Sequence, residues 1–169
     1  PGIFQVALYL VNGWLVFRVA RKLFYHPAVA ILAMAFYLLW PPNLIYTRHL
    51  LPPLAAETLL LLAIVYFVQA YGNPPMERKR SLRISGSFYL AQFLVYPGFY
   101  YTLLGFLLCL FIQKSPRRFK IENIIDFLLP TAVAVLILEV LSRMIFGFSY
   151  VSELIAFAGT VSQGDTDLG

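Results

Sequence analysis

The stretch Ile84–Ile112, ISGSFYLAQFLVYPGFYYTLLGFLLCLFI, decides how this chain folds: 29 residues pass without a charge. A helix crossing a bilayer takes about 20 apolar residues, so the run is too long for one untilted crossing and short for two full ones. Tyr96-Pro97-Gly98 stands at its centre. Proline withholds a backbone donor and clashes with the preceding turn, and glycine permits a reversal. Two short helices, Ile84 to Val95 and Phe99 to Ile112, are therefore predicted, folded as a re-entrant or tight hairpin.

Working outward, four segments have the length and apolarity of a crossing: Gly2 to Phe17, Pro27 to Tyr46, Leu50 to Tyr71 and Ile124 to Phe146. Hydrophobic residues make up 60% of the 169 positions and charged ones 12%. A soluble domain runs near half apolar and a quarter charged, so there is too little polar material here to cover a water-soluble core. The predicted class is all-α, a polytopic transmembrane helix bundle of about four full spans plus the short hairpin. Residues 1–147 form the bundle, and residues 148–169 an outer-face segment, the start of a loop or an amphipathic helix.

Charge placement sets the direction of the spans. Arg18, Arg21 and Lys22, then Arg78, Lys79, Arg80 and Arg83, then Lys114, Arg117, Arg118 and Lys120 account for eleven of the thirteen basic residues. All eleven fall on one side if Ile84–Ile112 enters and returns, whereas a single crossing would send the third cluster to the other side. The positive-inside rule names that side cytoplasmic. Pro1, Tyr46 to Pro53 and Phe148 to Gly169 are then outside, and the expected location is a cell inner (plasma) membrane. Because these cations punctuate apolar runs, the net charge of +5 reflects topology, and nucleic acid is not an expected partner. Pro1 is no initiator methionine and the tail lacks a closing element, so the sequence reads as a fragment.

Catalytic spacing patterns are absent: the sequence has no Gly-rich phosphate loop, no His-x-x-x-His pair and no serine nucleophile elbow. Cys109 is the only cysteine, which leaves neither a disulfide nor a paired-cysteine metal site. No cofactor and no divalent metal are expected. The most informative polar segment is Pro41-Pro42-Asn43-Leu44-Ile45-Tyr46-Thr47-Arg48-His49-Leu50-Leu51-Pro52-Pro53. Two prolines close one helix, two more open the next at positions proline tolerates, and Arg48 and His49 stand on the turn between. Arg48 either grips a phosphate bidentately or snorkels to anionic headgroups. Glu57 lies about one turn inside the third helix. A carboxylate at that depth is costly unless it is paired or faces a polar cavity, so Glu57 is either a functional group or a helix-start charge paired with Arg48 or His49. Glu139 and Arg143, four apart, read as a structural ion pair, and Asp126 as a first-turn charge.

The order of these phrases resembles the GT-C membrane glycosyltransferases, in particular the protein mannosyltransferase and aminoarabinose transferase superfamily. The phrases are Val19-Ala20-Arg21-Lys22-Leu23-Phe24, then Ala28 to Trp40, then Tyr46-Thr47-Arg48-His49-Leu50-Leu51-Pro52-Pro53, then Gly86 to Gly98, and they lie within Gly2 to Gln113. The resemblance implies a transferase that moves a sugar from a polyprenyl-phosphate carrier to an acceptor at the outer, periplasmic face. It implies an acidic general base in a first outer loop upstream of Pro1, so no catalytic residue is named here. It also implies basic residues at outer helix ends that steady the departing lipid phosphate. Arg48 and His49 would lie near that phosphate and Glu57 would line the same cavity; membrane lipids and the lipid-phosphate-sugar donor are the implied partners. Two positions depart from the family's pattern: Pro53 stands where an acid often follows the first proline, and Tyr96 where Arg-Pro is common. They motivate an alternative, a non-catalytic transmembrane subunit of a larger membrane complex. A transporter is the third reading, set back by the lack of glycine-interrupted helices repeated in both halves.

Overall fold

The computed structural model describes residues 2–40, 51–96, 99, 101–112, 117–153 and 156. Every regular element among them is helical: α1 Ile3–Phe24, α2 Pro27–Leu39, α3 Leu51–Gly72, α4 Pro75–Val95, α5 Thr102–Ile112 and α6 Arg117–Phe146. A further helical turn occupies 150–153. Among the described residues three stretches, Ile3–Phe24, Pro52–Gly72 and Lys120–Phe146, are long and apolar enough to cross a membrane. The chain divides into two compact units, Pro1–Pro130 and Thr131–Gly169.

Proline and the left-handed backbone region set the helix ends. Tyr25 closes α1 at φ 55° and ψ 11°, its N–H donating to the Arg21 carbonyl, and Pro27 opens α2 two residues later. Trp40 leaves the helical region at ψ 116°, because the residue before a proline is pushed to extended backbone and Pro41 follows. Of the second expected span, Pro27 to Tyr46, the described part is helical only over the 13 residues of α2, about 20 Å against a hydrocarbon core of about 30 Å; residues 41–46 lie outside the described residues.

The hairpin's first arm is corrected. The helix begins at Pro75 and runs 21 residues, so the cations Arg78 to Arg83 ride on its first turns. Arg, Lys, Glu and Met are strong helix formers and carry the helix across the point where apolarity stops. The arms end at Val95 and begin again at Thr102; Pro97-Gly98 itself lies outside the described residues.

Lipid gives helices no hydrophobic reason to associate, so packing and polar contacts must hold them. On α3 the buried residues Ala56, Leu60, Ala63, Phe67 and Ala70 alternate spacings of four and three, the seam of a left-handed helix pair. On α4 Leu82, Ser85, Tyr89 and Gln92 repeat the pattern. The small alanines let the backbones approach, and the Ser85 hydroxyl donates to the Ala63 carbonyl at 2.7 Å. Phe67, Tyr89, Phe106 and Phe127, one from each of α3 to α6, meet with centroids 4.9 to 6.0 Å apart. This aromatic knot is the core of the first unit.

Candidate functional site

The polar centre of the first unit lies among α1, α2 and α3. Glu57 stands six residues into α3, about 9 Å along its axis. Asn12, wholly inaccessible on α1, donates its amide Nδ2 to Glu57 Oε2 at 3.5 Å. The Tyr37 hydroxyl of α2 interacts with both side chains. Tyr9 fixes that end of α2 by donating to the Leu38 carbonyl at 2.6 Å, with its ring 5.6 Å from that of Tyr37. Gly13 lets α2 come this near, since a Cβ there would sit 2.7 Å from Leu38 Cδ2. A carboxylate accepts only, so the amide nitrogen of Asn12 must face it. Asn12 Oδ1 is left buried with no partner among the described residues. An unsatisfied buried acceptor costs about 1–3 kcal/mol.

At the opposite end, α4 and α6 are tied by two ion pairs. Arg83 Nε and Nη2 each lie 2.8 Å from Asp126 Oδ1, and Lys79 Nζ lies 3.7 Å from Glu122 Oε2. Both helices ascend together through these pairs, so they run parallel, as they must if α5 returns between them. Farther along, Gly86 meets the α6 backbone: a Cβ there would lie 2.0 Å from the Phe127 carbonyl oxygen. Pro130 stands three residues on, where it removes one helical donor. Asp126 is thus no first-turn charge. The helix starts nine residues earlier, and Asp126 is a buried partner of Arg83.

In the second unit, Glu139 accepts from Arg143 Nε and Ser149 Oγ on one oxygen, and from the Val151 backbone N–H at 2.9 Å on the other. The chain turns at Gly147, φ 73°, and Ser149 starts the next helical turn by accepting from the Ser152 N–H. The pair Glu139–Arg143 is structural, and its carboxylate also caps the segment that follows.

Of the sequence-predicted site residues, Glu57 is half-buried in the polar centre, where its partners are an amide and a phenol. Arg48 and His49 lie outside the described residues. Sequence reasoning missed Asn12 and Tyr37, although an asparagine inside an apolar span is itself a signal of helix contact. Among the described residues no three His, Cys, Asp or Glu side chains cluster as metal ligands. No protein family, curated protein or solved structure matches the chain.

Proposed function

We propose that this chain belongs to a membrane glycosyltransferase that draws a sugar from a polyprenyl-phosphate carrier at the membrane face opposite the basic clusters, with Glu57 lining the donor cavity. The observation that carries the reading is a half-buried carboxylate among three apolar helices beside an amide oxygen that no donor among the described residues satisfies. A carboxylate at lipid depth is retained when it handles something polar. Sugar hydroxyls fit this centre, because Asn12 Oδ1 lacks a donor and Glu57 has further acceptor capacity, and a hydroxyl can donate to either. Glu57 lies near the start of α3, which follows directly on Tyr46 to Leu50 in the chain. In this reading the Arg48 guanidinium, with His49, holds the lipid phosphate next to the sugar. The cations at the other end mark the cytoplasmic face of a cell inner membrane.

The test is sugar transfer from a polyprenyl-phosphate donor by the full-length protein in vesicles, comparing wild type with Glu57→Gln and Arg48→Ala. Both substitutions are expected to lower turnover at least about tenfold. Unchanged turnover removes the site assignment. A wild type that transfers nothing while copurifying in fixed stoichiometry with a larger assembly leaves the non-catalytic subunit. That second reading draws on α6, where only 11% of the most apolar 18-residue window of Lys120–Phe146 is buried by the rest of the chain.

A further inference from the structure

Two cavities meet at the basic end of the first unit, on either side of Lys22 and Val68. One is a cleft of about 480 Å³ between α1 and α3, lined by Trp14, Arg18, Arg21, Lys22 and Gln69 among others. The other is a groove of about 780 Å³ between α3 and α5, lined by Ile64, Phe67, Gly105, Phe106 and Cys109 and almost wholly apolar. Both volumes fall in the range of small-molecule sites, about 300–1,000 Å³. The cleft is prearranged, because the Arg18 guanidinium rests over the Trp14 ring at 5.0 Å. Three cations and an amide thus stand beside an apolar channel, with one lysine lining both.

We propose that this pair of cavities is a binding site for one anionic phospholipid, with the phosphate in the Arg18–Arg21–Lys22 cleft and an acyl chain in the α3–α5 groove. Charge complementarity selects the headgroup: three cations within two turns of one helix match a phosphodiester, and a zwitterionic headgroup would set its own ammonium against them. The groove selects a lipid over free phosphate, because only a lipid brings an apolar chain to fill it. The site is independent of the sugar-transfer reading, which concerns the opposite end of these helices.

Trp14 lines the cleft and reports its occupancy. The chain has two tryptophans, so Trp40→Phe isolates the signal. Full-length protein in detergent is titrated with phosphatidylglycerol or phosphatidylcholine, each brominated on the acyl chain near the headgroup. Phosphatidylglycerol is expected to quench Trp14 with at least about fivefold higher apparent affinity, the worth of roughly one interfacial cation. Arg18→Gln, Arg21→Gln and Lys22→Gln together are expected to abolish that preference. Equal quenching by the two lipids, or a preference that survives the triple variant, overturns the site. Gly105→Phe supplies a second arm that keeps every cation: Gly105 lines the groove and a Cβ there meets nothing within 4 Å, so the new side chain starts into open space. It is expected to weaken phosphatidylglycerol binding severalfold, and unchanged binding overturns the acyl assignment. Soluble glycerol phosphate is expected not to displace the lipid. Displacement at equal concentration would make this a phosphate site and overturn the proposal.

Discussion

The Arg83–Asp126 pair lends itself to a quantitative test, because its two halves sit in different surroundings. The Asp126 side chain is 7% exposed and that of Arg83 53%. Removing one partner of a fully buried pair costs about 3–5 kcal/mol, since the other charge is left without compensation. Water reaching the outer half of Arg83 screens part of the interaction, which brings Arg83→Gln to about 2 kcal/mol, a factor of roughly 30 in the unfolding equilibrium. Arg83→Met with Asp126→Leu removes both charges and fills their space with apolar atoms, a change that is often neutral or stabilising. A double-mutant cycle built from Arg83→Met, Asp126→Leu and the two together, with Arg83→Met expected to cost about as much as Arg83→Gln, should therefore show a coupling of at least about 2 kcal/mol. The assay is unfolding in mixed micelles titrated with sodium dodecyl sulfate and followed by circular dichroism. Lys79→Gln serves as the comparison: Lys79 and Glu122 are both partly exposed at 3.7 Å, and that change is expected to cost less than about 1 kcal/mol. A coupling below about 0.5 kcal/mol would mean that α4 and α6 do not meet at this pair, and the parallel arrangement of the two helices would go with it.

Gly86→Ala places a methyl group where a Cβ lies 2.0 Å from the Phe127 carbonyl. Backbone cannot yield as a flexible side chain does, so the same micelle titration should show a loss of about 3 kcal/mol or more. Glu57→Gln removes a charge whose partners are neutral and keeps a group that Asn12 and Tyr37 can hydrogen-bond. It should leave stability unchanged or raise it by up to about 1 kcal/mol while lowering activity, and a large loss of stability would refute the functional role in favour of a structural one. With Cys109→Ser as background, Arg80→Cys and Arg118→Cys should be labelled by an impermeant maleimide from the same side of sealed vesicles. Labelling from opposite sides would break the hairpin. Glu139→Gln should raise hydrogen exchange at the Val151 amide severalfold, as its carboxylate acceptor weakens.

The helical class was legible because lipid leaves few options, helices or closed barrels, and continuous apolar runs of about 20 residues, without a barrel strand's alternation, select the helix. Helix ends were legible where proline or glycine forced them, and illegible where apolarity stood in for helicity. Reading α4 from Ile84 cut the helix where the charges begin, although Met76, Glu77, Arg78, Lys79 and Arg80 propagate a helix well. Carrying the second span to Tyr46 ignored Pro41 and its effect on Trp40. The four-three spacing of Ala56, Leu60, Ala63, Phe67 and Ala70 was present in the sequence, but in a run where nearly every residue is apolar it does not stand out until burial sorts one face from another.

The site followed the same division between local and distant information. Glu57 could be singled out because an isolated carboxylate in an apolar helix violates the local rule. Its partners could not, since Asn12 lies 45 residues before it and Tyr37 belongs to a third helix; only the packing of α1, α2 and α3 joins them. Asp126 shows the converse. Its charge was read against its own helix and assigned to a helix start, whereas its partner Arg83 lies 43 residues away on α4. Asp126 is buried and Glu57 half-buried, and they differ in what faces them, a cation for Asp126 and an amide with a phenol for Glu57. A buried carboxylate facing a cation is already compensated and has little left to offer a ligand. One held by neutral donors keeps most of its charge unanswered, which is why Glu57, and not Asp126, is the place where a polar substrate would gain most by binding.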